Sequence, residues 1–251
     1  MPNDITVSAA IVTYNDSDCI EKACVSIIEH TKRYPLKLYI IDNASTDNTV
    51  SICEKTAGVT IIKNDRNIGF GAAHNLALGQ LGKYHFVINP DIEVKDDVIS
   101  DMVDFFEQNP DVDMAMPKIL NLDGTEQKLP KERPTFKRLY LGRFCRNIRN
   151  EYIWADRNID TATDIDFCTG CFFGIRGDMF RRLCGFDNRF FMYLEDADLT
   201  LRVKLKGRVL MCPQFSVVHA WHRDSAKSLK YLLIHLISSF KFLTKWRGKK
   251  V

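Results

Sequence analysis

The sequence lacks an excess of charge of either sign along most of its length. Of 251 residues, 35 are Lys or Arg and 32 are Asp or Glu, so the net charge is only +3. Residues 225–251 hold seven of the basic residues and none of the acidic ones, which leaves 28 basic against 32 acidic residues in the first 224. Proteins that bind nucleic acid carry a basic patch or stripe on the folded domain. We therefore expect no nucleic-acid partner.

The sequence also lacks a secretory leader and an apolar run long enough to span a membrane. An acid stands at position 4, and no charged-then-apolar segment opens the chain. The apolar stretch of the basic tail, Tyr231–Leu243, is shorter than the about 20 residues that a spanning helix needs. Such a basic, aromatic-bearing helix either lies on an anionic leaflet or packs on the protein body, and the sequence leaves both open. We expect a cytoplasmic protein, peripheral on the inner face of the cell membrane if the first alternative holds.

The eight cysteines lack the spacing of a zinc site. Cys168-Thr169-Gly170-Cys171 is a CxxC with no second CxxC. Apolar neighbours favour ordinary buried thiols, which are typically reduced in the cytoplasm. We therefore expect neither a zinc site nor a disulfide framework. The other residues of the zinc alternative are Cys184, Cys212, His219 and His222.

Short apolar runs alternate with segments of helical spacing in the first 110 residues. The pattern predicts strands at 6–14, 36–43, 59–64 and 84–91, and helices at 17–31, 48–57, 69–81 and 96–109. This alternation is typical of an α/β fold with a mostly parallel, doubly wound central sheet and flanking helices. Residues 117–164 are polar and irregular, which indicates a substrate-facing excursion or a mobile loop. Regular structure is expected again from residue 164 to about 218.

Each predicted strand ends in polar, turn-forming residues. These are TYN (13–15), DNAST (42–46), NDRN (64–67) and NPD (89–91). In open parallel sheets ligands bind beyond the carboxyl ends of the strands, so we expect a binding site there. Asp42 has two interpretations, as a turn or cap residue or as the acceptor of a uracil or thymine imide N–H. Tyr14 either belongs to a simple connection between a strand and a helix or stacks on a nucleobase.

The glycines at 69 and 71 follow the third predicted strand rather than the first. The pattern Gly69-x-Gly71-x-x-His74 therefore does not match a dinucleotide fingerprint, which disfavours a nicotinamide oxidoreductase. At the fourth strand exit, the Asp91 carboxylate can reach a divalent cation that bridges a diphosphate. Mg²⁺ and Mn²⁺ prefer oxygen ligands and keep phosphate and water in their shell, so one or two protein ligands suffice.

Three carboxylates follow an aromatic run near residue 190. If a helix begins near residue 194, Asp198 and Arg202 are four residues apart on one stripe with Glu195 and can pair. Asp196 points about 100° away from that stripe. A buried carboxylate is costly unless it is paired or used chemically. We therefore expect Asp198 to be structural and Asp196 to have a chemical role.

Together these motifs resemble the family 2 glycosyltransferases of the GT-A fold, and in particular the rhamnosyltransferase-like branch that builds bacterial surface polysaccharides. The motifs are TYN, DNAST, NIGFGAAHN, NPD, FCTGCFFGIR, FDNRFFMYLEDADLTLR and the late His219. The resemblance implies a single GT-A-like domain over 1–225, with a nucleotide-binding half at 1–110 and an acceptor half at 111–225. A basic amphipathic C-terminal helix over 226–251 is expected to follow.

The resemblance also implies roles for individual residues. Nucleotide and donor binding is expected from Thr13, Tyr14, Asn15, Asp42, Asn43, Ser45, Asn67, Gly69, Asn75 and Asn89. The acceptor side is expected at Thr169 and Gly170, and Mn²⁺ or Mg²⁺ at Asp91 and His219. Asn89 stands where the family has the first acid of its DXD motif. Asp196 is the expected general base, with Glu195 as the alternative base or as a contact to a hydroxyl or to the metal shell.

The implied function is the inverting transfer of a hexose or deoxyhexose, such as rhamnose, to a saccharide acceptor in cell-surface polysaccharide synthesis, for O-antigen or capsule. The expected donor is a dTDP- or UDP-linked sugar, and the expected acceptor is lipid-linked. A sugar nucleotide already carries a good leaving group, so the enzyme needs only one base and one cation. The alternative is a catalytically inactive module that binds a nucleotide sugar or glycan.

Overall fold

One mixed sheet runs through the residues that the computed structural model describes, 5–220 and 229–250. Its strands are β1 (Val7–Thr13), β2 (Leu36–Asp42), β3 (Val59–Lys63), β4 (Tyr84–Ile88), β5 (Ile92–Glu93), β6 (Val112–Leu120), β7 (Thr163–Asp164), β8 (Phe172–Arg176) and β9 (Arg208–His219). They lie in the order β3-β2-β1-β4-β8-β6-β9-β5, and β7 pairs with β9.

The connections between these strands carry the helices. They are α1 (Ile20–His30), α2 (Thr49–Lys55), α3 (Phe70–His74), α4 (Val98–Gln108), α5 (Phe136–Tyr140), α6 (Arg146–Ile153), α7 (Gly177–Arg182), α8 (Glu195–Lys204) and α9 (Leu229–Lys245). Two 3₁₀ segments, Asn75–Gln80 and Leu141–Arg143, directly follow α3 and α5. The predicted α/β fold is confirmed.

The first four strands form the parallel half of the sheet. β1 pairs in parallel with β2 and β4, and β2 pairs in parallel with β3. Every residue of β1 and β4 is buried, as expected for central strands that are covered on both faces. Thr13 lies beside Asp42 in the register, so β1 and β2 end at the same level. The polar residues that follow these strands therefore meet at one edge.

The second half of the sheet is mixed, so the predicted parallel order holds only for the first half. β8 runs antiparallel to β4 and to β6, whereas β6 and β9 are parallel. The chain reverses because the segment before β8 lies beside the exit of β4: the Asn89 N–H donates to the Cys171 carbonyl at 2.8 Å. This reversal brings residues 168–171 to the same edge of the sheet as the strand exits.

Residues 117–164 are more regular than the sequence predicts. β6 continues to Leu120, and α5 and α6 follow, so the prediction of an irregular segment is wrong for these parts. Thr135 caps α5 by accepting the Arg138 N–H at its Oγ1. Helices of five and eight residues are too short for apolar periodicity to reveal them.

The basic C-terminal segment, expected to be helical over 226–251, forms α9 over Leu229–Lys245, which packs on the body of the protein; residues 226–228 and 251 lie outside the described residues. Phe242 and the following Trp246 are buried, and Trp246 Nε1 donates to Asp198 Oδ1 at 2.8 Å. Ser238 Oγ donates to the carbonyl of Met192 at 2.7 Å. In the two described ranges, no helix has both the length and the hydropathy needed to cross a bilayer.

Candidate active site

A cavity of about 380 Å³ opens where β1 and β2 end. Five predicted donor-binding residues line it, namely Thr13, Tyr14, Asn43, Asn67 and Gly69. The rest of its wall consists of Val12, Asp16, Phe70, Phe191, Met192, Lys230 and Tyr231. We call it the first cavity; its volume lies within the range of small-molecule sites, about 300–1,000 Å³.

The turn after β1 is held by Asp16, which the sequence analysis did not single out. Its Oδ2 accepts hydrogen bonds from Thr13 Oγ1 and from the Tyr14 N–H, both at 2.8 Å. Asn15 adopts a left-handed conformation with φ of 60° and bonds the second strand exit: its N–H donates to Ser45 Oγ at 2.9 Å. The Tyr14 side chain stays 44% exposed at the cavity, where it can stack on a planar ligand.

A chain of amide contacts joins the second and third strand exits. Asn43 Oδ1 accepts from Asn64 Nδ2 at 2.9 Å, and Asn43 Nδ2 donates to the Gly69 carbonyl at 3.2 Å. Gly69 has φ of 91°, and a Cβ there would lie 2.2 Å from the carbonyl oxygen of Phe191. Only glycine fits this position. The floor of the first cavity is therefore pressed against the segment that leads to α8.

Five other predicted donor residues, Asn89 among them, do not line the first cavity. The buried Asp42 carboxylate accepts the Ser45 N–H at 3.2 Å, which is the predicted turn role, and its role as a base reader stays a prediction. Asn15 and Ser45 support the same turn. Asn75 holds a distant loop, because its Nδ2 donates to the Phe186 carbonyl and its Oδ1 accepts the Phe186 N–H, both at 2.8 Å.

Asp91 and His219 meet where β5 pairs with β9. The strand register sets Ile92 beside His219, and Asp91 Oδ1 lies 3.1 Å from His219 Nε2. Two neighbouring ligands of an octahedral cation, each about 2.1 Å from it, are about 3 Å apart. The separation of the carboxylate oxygen and the imidazole nitrogen therefore fits a shared divalent cation.

Gln127 orients the imidazole of His219. Its Nε2 donates to the His219 carbonyl at 2.8 Å, so its Oε1, 3.0 Å from His219 Nδ1, must accept the ring N–H. A partner of this kind on the second ring nitrogen is typical of metal-ligating histidines. The donor set therefore fits a divalent cation shared by His219 Nε2 and Asp91 Oδ1.

A further carboxylate lies near this pair. Burial raises the pKa of Asp16, and the charges of Asp91 and Asp47 raise it further. The hydrogen bonds from Tyr14 and Thr13 lower the pKa, but the net shift is upward. The negative charge of Asp91 thus acts at the first cavity, which Asp16 lines.

Within residues 5–220 and 229–250, no group of three or more His, Cys, Asp or Glu is arranged to hold a metal ion. Phosphate or water would have to complete the shell.

A second cavity, of about 520 Å³, contains both predicted catalytic carboxylates, Glu195 and Asp196. Its other lining residues include Tyr152, Phe167, Tyr193, His235, Arg138, Arg143 and Arg149. Phe191 and Met192 line the first cavity and residues 193–196 line the second. The segment 191–196 therefore forms a wall shared by the two cavities.

Two strained residues aim the carboxylates at the second cavity. Tyr193 and Leu194 have φ of 72° and 67°, a left-handed conformation that side chains other than glycine rarely adopt. α8 begins directly afterwards at Glu195. Such residues typically cost of order 1–3 kcal/mol each and cluster at functional sites. The strain places Glu195 and Asp196 in the first helical turn beside the shared wall.

Backbone N–H groups hold the Asp196 carboxylate in place, and burial raises its pKa. Its Oδ2 accepts the Gly170 N–H and its Oδ1 accepts the Ala197 N–H, each at 2.8 Å. Burial raises its pKa to about 6, although the hydrogen bonds from Gly170 and Ala197 oppose the shift. Desolvation therefore outweighs the helix N-terminus. The carboxylate is mostly ionised at pH 7 and basic enough to accept a proton.

Glu195 is protonated where Asp196 is ionised. Burial raises its pKa well above the usual value, and the charge of Asp196 raises it further. Its Oε2 is buried without a hydrogen-bond partner among the described residues. Two neighbouring acids are thus separated in pKa, with Asp196 as the stronger acid of the two.

Asp198 has the predicted structural role. It is fully buried, its Oδ2 pairs with Arg202 Nε at 2.8 Å, and its Oδ1 meets Trp246 Nε1 and Lys245 Nζ at 2.8 and 2.6 Å. The predicted pairing with Arg202 is confirmed. The carboxylate also anchors α9, a contact that no local sequence pattern indicates.

The loop before β8 contacts Asp196, and the acceptor role of Thr169 and Gly170 stays a prediction. A Cβ at Gly170 would lie 3.4 Å from Asp196 Cβ, and Thr169 Oγ1 lies 3.5 Å from Cys171 Sγ. All eight cysteines are free thiols, as expected. The cysteines and His219 form no metal cluster within the described part of the chain, and His222 lies outside it.

Comparison with known proteins places this arrangement in a family. Residues 8–184 match the sequence model described as "Glycosyl transferase family 2". Rhamnosyltransferase WbbL of Escherichia coli K12 is 29% identical over 94% of this chain and 92% of its own length. N-acetylglucosaminyl-diphospho-decaprenol L-rhamnosyltransferase of Mycobacterium tuberculosis is 27% identical over 92% of this chain and 82% of its own length.

A solved structure shares the fold. The mannosyltransferase PcManGT from Pyrobaculum calidifontis, solved in complex with GDP-Man and Mn²⁺, superposes with a TM-score of 0.69 at 20% identity. The match covers all of this chain and 66% of the other.

Proposed function

Because this chain belongs to glycosyl transferase family 2, we propose that it is an inverting hexosyltransferase that moves a hexose or deoxyhexose, with rhamnose as the leading candidate, from a nucleoside diphosphate to a saccharide hydroxyl. The observation that carries this proposal is the position of Asp196. Its carboxylate has a pKa raised to about 6 and lies on the wall shared by the two cavities. A base at that boundary can serve a donor on one side and an acceptor on the other.

In the proposed reaction Asp196 takes the proton of the acceptor hydroxyl. The acceptor oxygen forms a bond to the anomeric carbon as the bond from that carbon to the diphosphate oxygen breaks, and the configuration inverts. The neutral Glu195 beside it can donate a hydrogen bond to a sugar hydroxyl without competing for the proton. A positioned general base typically contributes about 10²- to 10⁴-fold to the rate.

The donor is assigned to the first cavity. Tyr14 would stack on the nucleobase, and the loops held by Asn43 and Asn67 would surround the ribose and diphosphate. Residues 1–110 would form the nucleotide-binding half, because they contribute most of this wall, and 111–225 the acceptor half. A dTDP- or UDP-linked donor is proposed on the family resemblance, with Asp42 as the residue that would accept the imide N–H of the base.

The diphosphate is assigned to the side of Asp91 and His219, which would hold a divalent cation. When bound, Mn²⁺ or Mg²⁺ would stabilise the charge that develops on the leaving diphosphate. Gln127 would keep His219 in the neutral tautomer with Nε2 available. Asn89, in place of an acid, would add no charge, so the site depends on Asp91.

Nucleotide binding can be measured by thermal shift. At a 100-fold excess over the dissociation constant, dTDP or UDP should raise the melting temperature by about 5–10 °C, and Mn²⁺ should increase the shift. Tyr14→Ala should lose most of this shift, while Tyr14→Phe should keep it because stacking needs only the ring. GDP is the comparison nucleotide: an equal shift with GDP would contradict the preference for dTDP and UDP, and no shift with any nucleotide would contradict a donor site.

The acceptor is proposed to be a lipid-linked saccharide of cell-surface polysaccharide synthesis. Support comes from the mycobacterial relative, whose name specifies a diphospho-decaprenol acceptor. It also comes from α9, whose outward side is apolar rather than basic. The exposed apolar residues of α9 are Leu229, Leu232, Leu233, Leu236, Ile237 and Phe240. Such a helix, with lysines at its ends, is suited to lie in the interface of an anionic membrane.

Vesicle sedimentation tests the membrane contact. Leu233 and Phe240 are 58% and 71% exposed, so a Leu233→Asp/Phe240→Asp variant should fold normally and lose most of its pelleting with vesicles rich in phosphatidylglycerol. Leu205→Asp is the control, because Leu205 is 57% exposed at the far end of α8. Pelleting that falls equally in both variants, or in neither, would contradict the role of α9.

A further inference from the structure

The second cavity is lined by opposite charges. The two carboxylates stand on α8, while three guanidinium groups come from the connection between β6 and β7, namely Arg138 on α5, Arg143 on the 3₁₀ segment and Arg149 on α6. A neutral saccharide needs one base and several hydrogen bonds, but it has no use for a cluster of cations. The composition of the cavity therefore indicates a ligand with an anionic part.

Arg138 is already neutralised by the protein. Its Nη2 pairs with Glu132 at 3.2 Å and with Glu151 at 2.9 Å, and its Nη1 donates to the Arg133 carbonyl at 2.9 Å. The side chain is only 17% exposed. Arg138 thus supports the wall of the cavity, and the cationic charge available to a ligand has to come from the other two arginines.

Arg143 and Arg149 carry uncompensated charge. Neither has a carboxylate within ion-pair distance among the residues that the structure describes. Arg143 Nη2 lies 3.3 Å from Nδ1 of His235, and the pKa of His235 is lowered by burial and then by the charge of Arg143. His235 is therefore neutral and accepts the Arg143 N–H without cancelling its charge.

Exposed apolar side chains border the arginines. Leu141 and Phe144 flank Arg143 in sequence and are 49% and 92% exposed. His235 links Arg143 to α9, whose Leu232 and Leu236 are exposed nearby in the helix. Exposed apolar side chains are thus neighbours of Arg143 in sequence and across its contact with His235, and we call these four side chains the apolar rim.

We propose that the second cavity binds an acceptor whose sugar hydroxyl meets Asp196, whose pyrophosphate pairs with Arg143 and Arg149, and whose lipid chain leaves across the apolar rim. This inference rests on the proposed function and names the residues that hold the pyrophosphate of its acceptor. Guanidinium groups match phosphate oxygens with paired, charge-assisted hydrogen bonds. The cavity of about 520 Å³ has room for a monosaccharide with a pyrophosphate.

The test compares two acceptors that differ only in the anionic linker. One is N-acetylglucosaminyl pyrophosphate with a ten-carbon prenyl chain, and the other is the N-acetylglucosaminide of the same alcohol without phosphate. In an Arg143→Gln/Arg149→Gln variant, KM for the pyrophosphate acceptor should rise by about 10- to 100-fold, because charged hydrogen bonds are lost. KM for the uncharged acceptor and for the donor should stay within twofold. Arg146→Gln, an exposed arginine outside the cavity, is the control.

Calorimetric binding of the pyrophosphate compound, without donor, separates this inference from the proposed function. Binding that is weakened in the double variant, with no transfer in any variant, would keep the arginine site and contradict the transferase. Transfer with equal KM values in wild type and the double variant would keep the transferase and overturn the arginine site. An equal loss with both acceptors would also overturn it. A loss confined to pelleting with phosphatidylglycerol vesicles would instead assign the arginines to phospholipid headgroups.

Discussion

An Asp196→Asn variant is expected to lose transfer by about 10²- to 10⁴-fold, the usual contribution of a general base. Asparagine retains the size of the side chain and can still accept one of the backbone N–H bonds, but it cannot take the acceptor proton. Nucleotide binding should be nearly unchanged, because Asp196 lines the second cavity and not the first. Initial rates with the thermal shift for dTDP or UDP measure both effects.

Glu195→Gln is the matched control for this substitution. The raised pKa keeps Glu195 protonated, and glutamine resembles a protonated glutamate in shape and charge. Its rate should stay within about tenfold of wild type, which is below the loss expected for a base. If Glu195→Gln abolishes transfer and Asp196→Asn leaves it within tenfold of wild type, the roles of the two acids are reversed.

Asp91→Asn should remove cation-dependent activity. The substitution removes the one anionic ligand of the proposed pair, and the charge stabilisation supplied by a metal is worth several kcal/mol, so the rate should fall by at least about 100-fold. Added Mn²⁺ should not restore it. In the variant, Mn²⁺ should also no longer increase the thermal shift given by UDP, a readout that does not depend on turnover.

Gln127→Leu is a milder change at the same proposed metal site than Asp91→Asn. It leaves both ligands in place and removes only the acceptor for the His219 ring N–H. Loss of such a contact typically costs 10- to 100-fold in metal affinity, so activity should fall at low Mn²⁺ and recover at high Mn²⁺. Recovery of Asp91→Asn under the same conditions would contradict the assignment of Asp91.

The parallel half of the fold was predictable because its signals are local. β1 and β4 are continuous apolar runs with both faces buried, and each ends in a polar turn. The second half was not predictable in the same way. Whether β8 runs parallel or antiparallel to β4 depends on where residues 168–171 cross the sheet edge, and the Asn89–Cys171 hydrogen bond that fixes this joins residues 82 positions apart.

The candidate site shows the same difference between local signals and long-range contacts. Asp196 and Asp198 have different partners because of helical spacing, which the sequence contains. By contrast, the contacts of Asn75 with Phe186 join residues 111 positions apart, and no local pattern indicates them. Asp16 directly follows the TYN motif. This position next to Thr13 and Tyr14 is the only signal for it in the sequence.

Gln127 and the arginines gave no comparable signal. They lie in residues 117–164, which the sequence predicts to be irregular. Gln127 and its partner His219 are 92 positions apart, and so are Arg143 and its partner His235. Only the folded chain shows that this connection closes the second cavity.

The pH dependence of kcat/KM at saturating Mn²⁺ tests the central claim most directly. A base with a pKa of about 6 loses its function as it becomes protonated, so kcat/KM should be flat from pH 7 to 8 and fall tenfold per unit at pH well below 6. Glu195→Gln should keep this acid limb. A flat profile from pH 5 to 8, or the same limb in the residual activity of Asp196→Asn, would contradict a catalytic carboxylate at the boundary of the two cavities.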